Sequence, residues 1–558
     1  MQRRYSWMIG VVIAIGAAGV GLGMERWERG GDRVKAQPAT IVRQAANATV
    51  VRSAQTPAAK PAAKLQLSAD WPTFGNNLWQ DRVSPISFSA TGQQWTKRYE
   101  IPIASGGSSE TFPLEQNGTL YVTTMQGAVM AIDAATGKRR WTYSPTLHLD
   151  QGIPTINRGV ALGLGDVFVL TPDDKLVALS QKTGQVRYEV TVADEDEGYF
   201  ESMAPLYADG KVFVGSAGGD EGVRGFEACY NASSGKLLWR TFTIPQRGQG
   251  WVPKTGDHGG GAVWNSPAYD PATNQLFFGT GNPSPDYFGE QRSGPDPMTD
   301  AIVSVRADSG RVNWYRQEVA HDLWDYDVAS PPMLFQVNGQ LAVGEAGKDG
   351  RWYEWYTKTG RPVFGPVAFV KEHHVPPTSE ATLEWPGSEG GANYGPSAYD
   401  PADGDVIVSG INGPEYVRAA PTTHTSYRVD DGTDATAAPA GDWTGTLTSI
   451  DTATGNVVWQ KTLATPAIGG VTASIGGTAY FGEANGWLYG VDMATGKTVW
   501  SYNAHIPAGS APILYRAGGH TFLTFALGES ASLQGLFPYD GDVEIVTFQL
   551  ATSSRRTS

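Results

Sequence analysis
AIDAATGKRRW, residues 131–141, holds a buried-type strand, a tight turn with glycine at residue 137, and a second strand ending on an aromatic. The same phrase returns as ALSQKTGQVRY (178–188), CYNASSGKLLW (229–239), SVRADSGRVNW (304–314) and EWYTKTGRPVF (354–364). It closes with SIDTATGNVVW (449–459) and GVDMATGKTVW (490–500), and a weaker SATGQQW (89–95) stands at the front. The glycines fall at 92, 137, 184, 235, 310, 360, 455 and 496, mostly 41 to 51 residues apart. A period of that size with several strands per unit predicts an all-β, eight-bladed β-propeller rather than a helical solenoid. In such a fold each tryptophan packs between neighbouring blades and each glycine turns a hairpin. The two long gaps, 235–310 and 360–455, predict insertions that cap the pore or meet a partner, making a homodimer through these loops the expectation. The alternating segment VEIVTFQL (543–550) is expected to close the ring against the N-terminal strands.

The composition agrees with a repeat. Glycine is 69 of 558 residues, about twice the usual share. A single cysteine excludes a disulfide framework, a cysteine-based zinc site and a haem attached through CxxCH. The net charge of −14 argues against nucleic acid as a partner. Arg3 and Arg4 precede an uncharged apolar run from Tyr5 to Met24, the pattern of a signal peptide or membrane anchor. The expected organisation is a signal or anchor at 1–29, a flexible linker at 30–68, the propeller at 69–550 and a tail at 551–558. The folded part is therefore expected to be periplasmic or extracellular, with a possible membrane tether.

Three segments carry a more specific likeness: WPTFGNNLWQDRVS (71–84), GGGAVWNSPAYDPATNQLFFGTGNPSP (259–285) and HDLWDYD (321–327). With the repeat, they resemble the quinoprotein alcohol dehydrogenase superfamily, whose eight-bladed propellers hold PQQ and Ca²⁺ or a lanthanide. The resemblance implies that Trp264 is the floor under the quinone and that Asp325 is the catalytic carboxylate. It implies Asp220, Asn282 and Asp325 as metal ligands, with Asp327 where lanthanide-using members carry an Asp. Arg158, Lys348 and Asn393 match positions that contact the quinone.

The chain departs from that pattern in three places. Gly152–Ile153 replace an adjacent cysteine pair, Asp220 replaces a glutamate, and Ala467–Ile468–Gly469–Gly470 replace a Trp–Asn–Gly–Gly segment. These departures resemble the tetrathionate hydrolases of acidophilic sulfur oxidisers, which share the propeller without PQQ redox chemistry. The leading expectation is accordingly a cofactor-free hydrolase that splits tetrathionate to thiosulfate, sulfur and sulfate at acidic pH. Asp325 would be its general acid, supported by Asp327, and Arg158, Arg224 and Lys348 would bind the small anionic sulfur substrate. Trp264 and Asn393 would line the pocket, and His321, four residues before Asp325, would orient it. In acid, 56 carboxylic residues become largely neutral while 42 Lys and Arg stay charged, which suits an anionic substrate. The alternative is a PQQ- and Ca²⁺- or lanthanide-dependent dehydrogenase, in which Asp325 is an ionised base. A non-catalytic scaffold sharing the repeat would not require Trp264, Asn282 and Asp325 together. Cys229 on a repeat strand is expected to be filler, and His373–His374 a loop pair without a third metal ligand.

Overall fold
In the computed structural model each of the seven copies of the repeat from residue 131 onward becomes the last two strands of an antiparallel meander. Residues 68–551 are described, apart from 88–93, 150–153, 253–258, 420–432 and the single positions 247, 288 and 293. The expected signal or anchor, nearly all of the linker, Gly92, Gly152–Ile153 and the tail beyond residue 551 lie outside the described residues. None of the described helices is long and apolar enough to cross a membrane.

The turn at 133–139 shows why the phrase recurs. Asp133 accepts from the Thr136 N–H at 3.0 Å and from its hydroxyl at 2.7 Å, and its own carbonyl accepts from the Gly137 N–H at 2.9 Å. Gly137 has φ +74°, a conformation costly for a residue with a Cβ. The aromatic that ends six of the copies then lies on the glycine of the next. Trp141 covers Gly184, where an added Cβ would stand 2.5 Å from the ring, and its indole N–H donates to the Gln181 carbonyl at 2.9 Å. Trp239 does the same to Gly310 and Ala307, Trp314 to Gly360 and Thr357, and Trp459 to Gly496 and Met493. Tyr99, Tyr188 and Phe364 cover Gly137, Gly235 and Gly455 in the same manner.

The result is an all-β chain with the PQQ β-propeller fold. Among the described residues, eight sheets contain four or more strands, typified by 114–116, 119–123, 129–133 and 139–143 in that order. Their inner strands are buried throughout, whereas an outer strand such as Arg139–Tyr143 is largely exposed. Strand Asp542–Leu550 pairs antiparallel with Trp95–Ser105, so both ends of the folded region share one sheet. The segment 71–84 crosses from sheet to sheet. Its backbone accepts from Tyr269, Leu334 and Tyr399 at 2.7–3.0 Å, and Val83–Ser84 pairs with Ala473–Ser474. Buried Arg82 donates to the carbonyls of Val471 and Pro512, giving this thread a polar anchor. The second long gap contributes a separate three-stranded sheet, Thr382–Glu384, Glu415–Ala419 and Thr433–Ala437.

Candidate active site
Loop 321–327 is shaped by its own side chain. The buried Asp322 carboxylate accepts from the N–H groups of Trp324 at 3.2 Å and Tyr326 at 2.9 Å. The Tyr326 hydroxyl donates to the Pro386 carbonyl at 2.6 Å, and the Trp324 indole to that of Val375 at 3.0 Å. Between these tethers Asp325 takes φ +61°, unusual for a non-glycine residue, so the fold holds its carboxyl in a conformation it would not choose alone. Lys348, buried in the turn after strand Gln340–Ala346, meets Asp325 at 3.1 Å and Asp327 at 2.7 Å. Asp327 also accepts from the Asn282 N–H at 2.8 Å. Gly281 is glycine because a Cβ there would lie 2.4 Å from the Asp327 carboxylate.

These residues line a cavity of about 190 Å³ with Arg158, Ser202, Asp220, Trp264, Asn282, Glu389, Asn393 and Ser532. The Arg158 guanidinium lies between two rings, 4.9 Å from the Trp264 centroid and 4.7 Å from that of Tyr394. It pairs with buried Glu110 at 2.8 Å and donates to Ser202 at 3.0 Å, while its buried Nε has no partner among the described residues. Burial disfavours the Lys348 ammonium, but Asp325 and Asp327 outweigh it and hold its pKa well above the usual range. Burial raises Asp325 far above an ordinary carboxyl; Lys348 opposes the shift, and Asp327 and Asp220 add to it. Glu389 is pushed up to about 7 by burial, against the pull of Lys348.

Asp325, Asp327, Arg158, Lys348, Trp264, Asn393, Asp220 and Asn282 therefore converge on one cavity, as expected. Two other expected residues do not. Arg224 turns away, stacked 3.8 Å from the Phe242 centroid and donating to the Ile244 carbonyl. His321 faces buried Asp296 at 3.2 Å and lines a different cavity, with Arg292 and Leu323. Four residues along a loop with a left-handed kink do not keep one direction. Cys229 is wholly buried with its thiol pushed up to about 12, and His374 meets the Tyr326 hydroxyl at 3.2 Å. Sequence reasoning missed Glu389, four residues before Asn393, and Asp286, four after Asn282. One carboxylate oxygen each from Asp220, Asp286 and Asp325 lie within 4.8 Å of one another. The spacing from Asn282 was the available signal for Asp286.

The cavity suits the group that the fold family carries. The Trp264 ring offers a flat floor, the partnerless Arg158 Nε can serve a carboxylate, and the acidic trio with Asn282 offers the oxygen donors a hard cation needs. It suits a sulfur dianion poorly. Arg158 is neutralised by Glu110, Lys348 is shared by two aspartates, and Arg224 is elsewhere.

Comparison with known proteins agrees. The glucose/ethanol/alcohol dehydrogenase β-propeller domain matches residues 87–375, and the outer membrane protein assembly factor BamB family matches 444–543. The quinohemoprotein alcohol dehydrogenase ADH IIB of Pseudomonas putida is 28% identical, over 84% of this chain and 76% of its own. The solved structure of quinohemoprotein alcohol dehydrogenase ADHIIG from Pseudomonas putida HK5 superposes with a TM-score of 0.78. It is 25% identical over 86% of this chain and 80% of its own. A europium-containing methanol dehydrogenase superposes with a TM-score of 0.77 at 22% identity, over 86% of this chain and 98% of its own, a likeness of fold. None of these relatives is named as a tetrathionate hydrolase. The hydrolase reading and its cofactor-free pocket are overturned by these relatives, which are dehydrogenases, the two from Pseudomonas putida being named as quinohemoproteins. The departures that suggested it are local. Asp220 still belongs to the acidic trio, and Ala467 and Ile468 are buried in hydrophobic clusters. The chain belongs to the PQQ-dependent alcohol dehydrogenase-like β-propeller superfamily, through its glucose/ethanol/alcohol dehydrogenase domain.

Proposed function
We propose that this chain is a PQQ-dependent alcohol dehydrogenase whose quinone lies on Trp264 beside a metal held by Asp220, Asn282 and Asp325. The observation that carries the reading is the convergence of Trp264, Arg158, Lys348, Asn282, Asp220 and Asp325 on one cavity in a chain of this family. The eight repeats and the eight sheets of four or more strands support eight Trp-docked blades around the axis on which the cavity lies. Arg3 and Arg4 before the apolar run 5–24 support a periplasmic location.

When bound, the quinone supplies a two-electron acceptor for the alcohol. The protein binds and orients around it. Arg158 would offer its Nε to a carboxylate of the cofactor, and Trp264 would keep one face of the ring dry. Lys348 holds Asp325 in place and offers an ammonium to developing negative charge. Burial and the acidic neighbours raise the Asp325 carboxyl well above its usual range, against the pull of Lys348. With a cation held by these aspartates, Asp325 would be favoured in its ionised form, able to accept the alcohol's hydroxyl proton at Oδ.

The test is dye reduction by alcohols after loading the purified protein with PQQ and Ca²⁺ or a lanthanide. Asp325→Asn should still bind the quinone while losing turnover by about 100-fold or more. A protein that takes up no PQQ under any metal condition would overturn the reading.

A further inference from the structure
Arg292 has no part in the assignment above, yet it ties together two loops that build the cavity. Its side chain is 0% exposed, and all three guanidinium nitrogens donate. Nε reaches the Pro285 carbonyl at 2.9 Å, and Nη1 pairs with buried Asp296. Nη2 donates to the Asp286 carbonyl at 2.7 Å and also to that of Asp322. A single planar group thus joins backbone just beyond Asn282 to backbone just before Asp325. The segments around it are held in conformations they would not choose. Asp296, Met298 and Asp300 take φ of +49°, +71° and +46°, and His321 and Asp325 take +55° and +61°. Asp296 is fixed from other sides as well: Gln317 donates to its carbonyl at 3.1 Å, and the His321 ring meets its carboxylate at 3.2 Å. Strained backbone persists only where its surroundings over-determine it, and Arg292 touches both loops.

We infer that Arg292 is a positioning residue of the reaction, setting the spacing between Asn282 and Asp325 by clamping loop 283–286 to loop 321–327, with Asp296 as its anchor. Its effect on turnover rests on the dehydrogenase reading; its effect on the loops does not. Charge alone does not make this clamp. A lysine still pairs with Asp296, but its ammonium is a point charge without the rigid fork that meets acceptors on two loops at once. Arg292 also lines the second cavity, of about 690 Å³, with His321 and Leu323, so a small guanidinium ion can reach the place that a shortened side chain would vacate.

The experiment compares the full chain with Arg292→Lys, Arg292→Ala and, at a partly exposed position, His321→Ala. Amide exchange of the unloaded proteins is read by mass spectrometry. Arg292→Lys should exchange about tenfold faster or more over 283–286 and 321–327, while strands Ala301–Arg306 and Gln340–Ala346 keep wild-type rates. His321→Ala should show the same change by a smaller factor. Loaded with PQQ and Ca²⁺, Arg292→Lys should take up quinone as wild type does, keep the alcohol KM and lose kcat by about 10- to 100-fold. Guanidinium should restore part of the turnover of Arg292→Ala, and sodium at the same ionic strength should not. Wild-type exchange in the two loops of Arg292→Lys would overturn the inference. So would faster exchange spread evenly over the chain, or a loss of kcat matched by loss of quinone uptake, both marks of a residue that serves only the fold. If neither Arg292 variant folds, unchanged loop exchange in His321→Ala overturns it in their place. A wild type without alcohol turnover refutes the dehydrogenase reading and leaves the exchange rates to decide the clamp.

Discussion

Glu115 makes a stability prediction that needs no substrate. It lies far in the sequence from the cavity loops, at a 0% exposed position where its backbone exchanges hydrogen bonds with Trp71 at 2.9 and 2.8 Å. One carboxyl oxygen accepts from the Gly118 N–H at 2.6 Å, and the other has no partner among the described residues. Burial, with the charge of Asp70 behind it, raises this carboxyl from its usual 4.5 to about 8. An acid with a raised folded pKa stabilises the fold fully below its unfolded pKa and loses that contribution as pH rises to the folded one. Here the window runs from about 4.5 to about 8. At pH 7 the unfolded chain has released the proton that the folded chain retains, a difference of about 2.5 pH units at 1.36 kcal/mol each, or about 3 kcal/mol. Glu115→Gln keeps the acceptor for Gly118 and removes the titration. Relative to wild type it should be about 3 kcal/mol more stable at pH 7 than at pH 4. With an unfolding entropy of about 2 cal/mol/K per residue over the propeller, that is a melting-temperature difference of about 3 °C. Calorimetry of both proteins at pH 4 and pH 7 decides the matter. An equal offset between them at the two pH values would show that Glu115 does not titrate as its burial implies.

Other consequences are as direct. Gly310→Ala places a Cβ 2.4 Å from the Thr241 hydroxyl and 2.5 Å from the Trp239 ring at φ +69°, and should cost about 2–4 kcal/mol, read as a lowered unfolding temperature. Glu110→Gln leaves the Arg158 guanidinium buried without its counter-charge. It should destabilise by about 3 kcal/mol or more and weaken quinone uptake, measured by calorimetry and absorbance titration. Cys229, buried with its thiol pushed up to about 12, should resist a thiol reagent at pH 8 until the protein is unfolded.

The propeller was legible because its cause is local and repeated. Asp133, Thr136 and Gly137 make their turn from contacts within five residues, and an aromatic four residues beyond the glycine marks the end of the next strand. Once those units repeat at propeller spacing, stacking them is the way to bury their inner strands. The site was legible where a short motif carries its own geometry, as in GTGN and WDYD. Its chemical character was misjudged from side-chain identities at three departures, although the charge balance of the cavity depends on partners far away in the chain.

The sequence by itself determined the β-class, the repeat, and which tryptophans, asparagine and aspartates belong together. Only the tertiary structure decided what those residues face. Arg158 is neutralised by Glu110, 48 positions earlier in the chain, and Lys348 is claimed by two aspartates. Arg224 and His321, close in sequence to site residues, point elsewhere. Turn and strand preferences act over a few residues and can be read in order. Charge compensation inside a cavity acts through space at 3–5 Å and is set by which loops the blades bring together.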